Sequence, residues 1–387
     1  MPPAPIYLDH AATTPVREEV FESMRPFFGA RFGNPSSTHR WGREARAALD
    51  EARERVAKCL GGRQDEVCFT SGGTEGDNLA ILGVWRSLRD KNRNAVVTTP
   101  IEHKAVLGAV HQAACEGAEE RYVEVDSSGT VSDTSFDALL GSDVAICSVM
   151  WVNNEIGTIQ RLPELAERAK AKGVVVHTDA VQAFGKVRID AASQCFDLLS
   201  ISGHKIGAPK GIGALYIRRG TPLQPLMHGG SQDRGRRPGT ENVAMAVGLA
   251  TAAEIVLAEH ETESARLLAM RRRLEAAILE KVPDAVIHGR SADRAPHVIS
   301  VSVPGTDSES LLMALDLQGI AASGGSACQS GSVMPSHVLL ALGLRPDLAG
   351  AAIRLSLGAL TTDECIDRVA EVLPALVLKA RILVPLA

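Results

Sequence analysis

Short runs of apolar, mostly β-branched residues alternate with amphipathic segments between residues 65 and 220. Six of these runs predict strands, at residues 66–70, 95–99, 144–150, 174–179, 198–202 and 213–217. Apolar positions at helical spacing predict helices between several of them, at residues 75–89, 103–116 and 163–172. This alternation predicts a mostly parallel sheet with helices on both faces. In such sheets ligands bind beyond the carboxyl ends of the strands, so residues found there are candidates for chemistry.

The pattern changes in the C-terminal third of the chain. Residues 243–282 carry apolar positions at helical spacing and predict one or two long helices. Shorter units follow, with predicted strands and helices at residues 297–303, 309–318, 351–357 and 362–378. We therefore expect a large domain at residues 15–260 and a smaller α+β domain formed by residues 1–14 and 261–387.

Composition and charge exclude several function classes. The 387 residues are 45% hydrophobic and 22% charged, a balance typical of folded globular proteins and not of disordered chains. Lys and Arg number 41 against 46 Asp and Glu, a net charge of −5, whereas proteins that bind duplex nucleic acid usually carry a basic excess. The longest apolar stretch, residues 144–152, is shorter than the ~18–20 residues that span a bilayer, and the N-terminus lacks the features of a signal peptide. We therefore expect a cytoplasmic protein whose partners include neither nucleic acid nor a membrane.

A lysine and an aspartate stand at the ends of two predicted strands. Lys205 follows the strand at 198–202, and an amine that is partly desolvated there has a lowered pKa and becomes nucleophilic. Asp179 ends the strand at 174–179, where a carboxylate can keep the pyridine nitrogen of pyridoxal phosphate (PLP) protonated. Taken singly, Lys205 is also typical of an exposed loop residue, and Asp179 could be a helix cap.

A glycine-rich turn and a histidine follow two further predicted strands. The turn at residues 70–76, Thr-Ser-Gly-Gly-Thr-Glu-Gly, opens a predicted helix whose backbone N–H groups suit a phosphate, although it matches neither nucleotide-binding fingerprint. His103 follows the strand at 95–99 and could stack on a cofactor ring, exchange a proton or cap a helix. Lysine, aspartate, phosphate turn and stacking imidazole together are the four parts of a PLP site.

The seven cysteines are odd in number and contain no CxxC pair, so neither disulfides nor structural zinc are expected. Cys328 alone lies in a segment of almost only Gly, Ser and Ala, residues 323–332, where packing does not explain it. We expect a mobile, exposed loop that carries a nucleophilic thiol, the alternative being a neutral surface thiol. Arg354, among apolar neighbours, needs an anionic partner, for which a substrate carboxylate is well suited.

These motifs resemble those of the cysteine desulfurases, PLP enzymes of the class-V aminotransferase group, and most of all their NifS branch. The resemblance covers nearly the whole chain, in the order YLDHAATTP, FGNPSS, SGGTEGDN, PIEHKAV, WVNNEIGT, HTDAVQ, SGHKIGAPKGIGALY, GRRPGTEN, SGGSACQSGS and IRLSLG. It implies the type I fold of PLP-dependent transferases, an α/β fold whose large domain holds a mostly parallel seven-stranded sheet beside a smaller α+β domain. Gly73 and Gly324 depart from the residues that are common in this family, but both keep the backbone small.

The resemblance also implies roles for individual residues. Lys205 would bind the cofactor covalently and move the Cα proton, Asp179 would pair with the pyridinium, and His103 would stack on the ring. Cofactor-binding residues would be Gly73, Thr74, His103, Asn154, Asp179, Gln182, Ser202, His204, Lys205 and, reaching the phosphate from the partner subunit of a homodimer, Thr240.

For the substrate, the resemblance implies that Asn154 and Arg354 bind the carboxylate of L-cysteine. Cys328 would take the substrate sulfur as a persulfide and leave alanine, and an iron–sulfur scaffold protein would accept the sulfur, for nitrogenase clusters in the NifS case. Cys328 would contact an iron–sulfur cluster only transiently. The alternatives are a housekeeping iron–sulfur or tRNA-thiolation desulfurase, a lyase acting on selenocysteine or cysteine sulfinate, and a non-catalytic sulfur carrier.

Overall fold

The computed structural model describes residues 4–324 and 334–383. Its strands are β1 Ile6–Tyr7, β2 Val67–Thr70, β3 Ala95–Thr98, β4 Glu119–Tyr122, β5 Val144–Ser148, β6 Val175–Asp179, β7 Leu198–Ser202, β8 Gly213–Ile217, β9 Val286–Ile287, β10 Val298–Ser302, β11 Ile320–Ala321, β12 Ser323–Gly324 and β13 Ala352–Ser356. Its α-helices are α1 Glu18–Met24, α2 Arg40–Cys59, α3 Gly73–Leu88, α4 Lys104–Cys115, α5 Asp133–Leu139, α6 Leu162–Ala171, α7 Val243–Ala258, α8 His260–Lys281, α9 Ser308–Asp316, α10 His337–Ala341, α11 Pro346–Gly350 and α12 Asp363–Leu383.

The large sheet has seven strands in the order β2-β8-β7-β6-β5-β3-β4. Only β8 runs antiparallel to its neighbours, β2 and β7, and the other pairs are parallel, which confirms the predicted α/β fold. Nearly every residue of β5 to β8 is buried, because helices cover both faces of the sheet. Since β6 and β7 are parallel neighbours, their carboxyl ends, with Asp179 and Ser202, lie side by side.

The helix boundaries follow local signals. Helix α6 has Pro163 in its first turn and is followed by Gly173, which adopts a positive φ of 71°. Helix α4 begins at Lys104, and the side chain of His103 caps it by accepting a hydrogen bond from the Ala105 N–H at 3.1 Å. The capping interpretation of His103 is therefore correct, and it fixes where the imidazole lies.

The chain termini meet in a second, smaller layer. Strands β12, β13, β10 and β9 form an antiparallel sheet, and β1 pairs with β11 while Asp9 bridges to Ser356. The N-terminal residues thus return to the C-terminal part of the chain. Helix α7 ends at Ala258 and α8 begins at His260. The domain boundary at residue 260 stays a prediction.

The lengths and compositions of the helices bear on whether one of them could cross a membrane. In residues 4–324 and 334–383, no single helix is both long enough and apolar enough to cross a bilayer. Helices α7 and α8 meet the length and composition criteria only as a pair, and that pair is bent by 68°. Most residues of α7 are buried against the large sheet and α2, as expected of a core helix.

Candidate active site

A cavity of about 540 Å³ opens at the carboxyl ends of β6 and β7. Its volume lies in the range of small-molecule sites. Ten of the residues predicted from sequence line it, namely Gly73, Thr74, His103, Asn154, Asp179, Gln182, Ser202, His204, Lys205 and Arg354. Thr240 is exposed and does not line this cavity. Cys328 lies outside the described residues, as does most of the loop predicted to be mobile.

Lys205 ends a short 3₁₀ turn directly after β7. Its Nζ donates hydrogen bonds to the carbonyl oxygens of Ala11 and Ala12, at 2.6 and 2.7 Å, so the side chain is held in the cavity. Burial lowers the pKa of Lys205 to about 8, and the nearby Arg354 guanidinium acts in the same direction. The exposed-loop interpretation is therefore wrong, and the amine is poised to act as a nucleophile near neutral pH.

Asp179 and His103 face the same part of the cavity. Asp179 is only 5% exposed, and its Oδ1 accepts a hydrogen bond from the Val181 N–H at 2.9 Å. Burial raises the pKa of Asp179, while interactions with His103 and Lys205 act against that rise. Burial also lowers the pKa of His103 itself. A ring nitrogen of His103 and a carboxylate oxygen of Asp179 lie within 4.8 Å of each other. An acid and a flat imidazole thus converge where a cofactor ring would lie.

The start of α3 packs directly on the floor of the cavity. A Cβ added at Gly73 would lie only 2.7 Å from Val181 Cγ2, so this backbone approaches its neighbour more closely than a side chain allows. The N–H groups of the first helical turn have no partner within the helix and suit a phosphate. His204 lies nearby, and burial lowers its pKa to about 4, so its ring is neutral at pH 7. This end of the cavity supplies the dipolar contacts that a phosphate group needs.

Two amides line the remaining edge. Gln182 Nε2 donates to the Ala11 carbonyl at 2.8 Å, and its Oε1 lies 3.2 Å from His297 Nε2, which orients the amide. Asn154 Oδ1 is buried without a hydrogen-bond partner among the described residues. An unsatisfied buried oxygen of this kind costs about 1–3 kcal/mol. It fits a site completed by a bound group, and with Lys205 and Asp179 the donor set fits PLP.

Arg354 has a partner that sequence reasoning did not foresee. Its Nη2 donates to Asp9 Oδ1 at 2.9 Å and to Ser323 Oγ at 2.8 Å, while Nη1 donates to the Asn154 carbonyl at 2.8 Å. Asp9 follows β1 and comes from the opposite end of the chain, so no local pattern links it to Arg354. The guanidinium is thereby held rigidly on the cavity wall, where it can bind an anionic substrate group.

Two buried acids of the cavity were also missed. Asp77 follows Gly73 by four residues and therefore lies on the same face of α3, a spacing that could have indicated it. Glu155 accepts a hydrogen bond from Ser336 Oγ at 2.5 Å, and burial raises its pKa to about 7. No sequence signal separates Glu155 from an ordinary loop residue, because its burial depends on the distant segment that contains Ser336.

Comparison with known proteins agrees with this geometry. The aminotransferase class-V family model matches residues 6–369. The chain is 44% identical to cysteine desulfurase IscS of Dictyoglomus turgidum, over 98% of this chain and 96% of that protein. It is 45% identical to cysteine desulfurase NifS of Azotobacter vinelandii, over 98% and 94% respectively. A solved NifS-like protein superimposes with a TM-score of 0.91 at 36% identity, covering 97% of this chain and all of that one. The chain therefore belongs to the class-V aminotransferase family, whose enzymes use PLP, and within it to the cysteine desulfurases.

Proposed function

We propose that this protein removes the sulfur of L-cysteine, releases L-alanine and holds the sulfur as a persulfide on Cys328. One observation carries the proposal. The cavity that contains Lys205, Asp179 and Arg354 is also lined by Gly324 and His337, and Cys328 lies between those two residues in sequence. The segment that carries the thiol thus follows Gly324, on the cavity wall, and the described structure resumes three residues before His337.

The lining residues divide the work of binding and proton transfer. Arg354 binds the substrate carboxylate, while Asp179 holds a proton at the cofactor's pyridine nitrogen. Lys205, with its lowered pKa, takes the proton from the substrate Cα and carries it at Nζ. Bound PLP supplies an electron sink for the charge that develops on the substrate carbon atoms.

The sulfur step needs a thiolate. The Cys328 thiolate attacks the substrate sulfur, so an S–S bond forms and the Cβ–S bond breaks. The electron pair of the broken bond goes to Cβ, which takes up a proton and becomes the methyl group of alanine. The substrate thiol proton stays on the transferred sulfur, and the protein is left with a persulfide.

The other cysteines do not compete for this role. The six that the structure describes are Cys59, Cys68, Cys115, Cys147, Cys195 and Cys365, and none of them lines the cavity. Burial raises the pKa of Cys59 to about 11 and raises those of Cys68 and Cys147 as well, which keeps these thiols protonated and unreactive.

The wider role is proposed on the names of the relatives. The persulfide sulfur would pass to an iron–sulfur scaffold protein in the cytoplasm, for nitrogenase or for general cluster assembly, and Cys328 would touch a cluster only transiently. We further propose a homodimer in which Thr240 reaches the phosphate of the partner subunit's cofactor. The exposed side chains of Phe28, Phe32 and Trp41 are apolar surface that a subunit interface would cover.

The test compares two thiol variants. Purified wild type, Cys328→Ala and Cys115→Ala are incubated with L-cysteine, and alanine and sulfide are measured. Cys115 is the control because it is exposed and lies away from the cavity. We expect alanine from wild type and Cys115→Ala, and none above background from Cys328→Ala, which keeps the visible absorbance of bound PLP. Undiminished alanine from Cys328→Ala would favour a lyase that acts without this thiol, and no alanine from wild type would refute the desulfurase.

A further inference from the structure

One acid that lines the cavity has no part in the proposed mechanism. Asp77 lies in the second turn of α3, is 1% exposed, and its Oδ1 has no hydrogen-bond partner among the described residues. Carboxylate oxygens of Asp77 and Asp179 lie within 4.8 Å of each other and of a His103 ring nitrogen. Two buried carboxyl groups therefore share the end of the cavity where the pyridine ring would lie.

The groups around Asp77 supply no positive charge that would balance an ionised carboxylate. His177 Nε2 is 3.6 Å from Asp77 Oδ1, but both ring nitrogens of His177 also contact hydroxyls, those of Ser148 and Ser200, at 2.8 and 3.0 Å. Burial lowers the pKa of His177 to about 3, so its ring is neutral. The other acid that faces Asp77 is Glu102, which adds further negative potential when ionised.

Asp179 lies in a different electrostatic environment. It accepts a hydrogen bond from the Val181 N–H, and the positive charge of Lys205 favours its ionised form. Burial lowers the pKa of His103, so this imidazole is neutral at pH 7 and adds no positive charge. Two carboxylates this close in a buried site do not both ionise at neutral pH, because their repulsion is poorly screened. Among the described residues, ionised Asp77 is favoured only by a hydrogen bond from the Ser200 hydroxyl. Ionised Asp179, in contrast, is favoured by a backbone N–H and the Lys205 charge. The proton therefore stays on Asp77.

We infer that Asp77 is a positioning residue that remains a neutral carboxylic acid and so leaves Asp179 as the ionised partner of the pyridine nitrogen. This inference rests on the proposed binding of PLP in this cavity. Burial and the neighbouring carboxylate of Asp179 both raise the pKa of Asp77 well above its ordinary value. An ionised Asp77 would drive a proton onto Asp179 and remove the charge that holds the pyridinium.

A neutral acid differs from a carboxylate in having an O–H donor, which asparagine can imitate with its amide and leucine cannot. The experiment therefore compares PLP-bound wild type with Asp77→Asn and Asp77→Leu. Asp137→Asn is the control, since that carboxylate is exposed on α5 and bonded to Arg168. The first measurement is the infrared difference spectrum between wild type and Asp77→Asn at pH 7. The second is the pH midpoint of the visible PLP band, and the third is the dissociation constant of PLP.

We expect a carbonyl stretch of a protonated carboxyl in wild type that is missing from Asp77→Asn, with an unchanged pH midpoint in that variant. Asp77→Leu should bind PLP at least about 10-fold more weakly, because leucine leaves the buried Ser200 hydroxyl without its carboxyl partner. The inference is overturned by an ionised-carboxylate band for Asp77, or by a pH midpoint of the visible PLP band in Asp77→Asn that differs from that of wild type. The infrared spectrum does not depend on turnover of L-cysteine. If the protein binds PLP but forms no alanine, the proposed desulfurase activity is refuted, and the spectrum still shows whether Asp77 is protonated.

Discussion

Two neighbouring cavities share a wall formed by Val181, Gln182 and Lys205, and each encloses a lysine. Lys205 lines both, but its Nζ bonds to the carbonyls of Ala11 and Ala12, which line only the cavity of about 540 Å³. Lys186 lines only the cavity of about 420 Å³. Burial lowers the pKa of both amines. By volume and by lysine chemistry alone, either cavity could be taken for the active site.

The neighbours of each lysine distinguish the two cavities. Lys186 interacts with the carboxylate of Glu263, but Arg266 already holds that carboxylate through two hydrogen bonds of 2.7 and 2.8 Å. No hydrogen bond to the Lys186 amine occurs among the described residues. Lys205, in contrast, is held by two backbone carbonyls and lies opposite Asp179. Burial alone is enough to lower the pKa of a lysine, so a lowered pKa does not identify an active site. An active site also requires that the amine is held in place, with an acid and a substrate-binding cation nearby.

The sharpest test of this contrast is Lys205→Ala. We expect the rate of alanine formation to fall by at least the ~10²–10⁴-fold that a positioned proton-transfer group contributes. The bound cofactor should also lose the visible absorbance that depends on its bond to the lysine. The measurements are alanine release under saturating L-cysteine and the absorption spectrum. Activity above one tenth of wild type would show that another base serves the cavity.

Substitution of Arg354 should have a smaller effect of the same kind. Three hydrogen bonds fix this cation on the wall of the larger cavity, whereas none among the described residues fixes Lys186 in the smaller one. In Arg354→Gln the loss of a buried, charged hydrogen-bonding partner should cost about 2–5 kcal/mol of substrate binding. We expect a rise in KM for L-cysteine larger than the fall in kcat, measured by steady-state alanine release. Arg345→Gln is the control, because this exposed arginine is paired with Asp347 alone among the described residues. If kcat alone falls, the role of Arg354 is to hold Asp9 and Ser323 in place, not to bind the substrate.

The fold was largely predictable where burial is uniform. Strands β7 and β8 have the predicted bounds, because helices cover both faces and the apolar run ends where burial ends. Strand β4, with the sequence Glu-Glu-Arg-Tyr, was missed because it is a largely exposed edge strand without an apolar pattern. Helix α2 was also missed, since half of its buried residues are alanines and only two, Leu49 and Val56, are larger apolar residues.

The site was predictable only in part, and the reason is again physical. Lys205, Asp179 and His103 stand at strand ends, and a parallel sheet brings strand ends together. Asp9 and the carbonyls of Ala11 and Ala12 reach the cavity because the N-terminal segment folds back across it, and that depends on tertiary closure. Neighbouring residues in the sequence do not determine how the N-terminal segment folds back. The hydrogen bonds that hold Lys205 and Arg354 could therefore not be predicted from the sequence.

The smallest effect concerns Lys186→Met, which removes the charge of the second lysine at nearly constant volume. A buried polar group without a hydrogen bond costs about 1–3 kcal/mol, so we expect the methionine variant to unfold at a higher denaturant concentration with unchanged kcat and KM. The pKa of Lys186 in the folded protein lies below 10.5. At pH values below this folded-state pKa, the buried charge therefore lowers the free energy of unfolding of wild type by its full amount. The advantage of methionine should shrink as pH rises from the folded pKa toward 10.5. Lys379→Met, on an exposed lysine of α12, should show neither the gain nor the pH dependence. Loss of activity in Lys186→Met would mean that both Lys186 and Lys205 serve the reaction, and that the active site extends over both cavities.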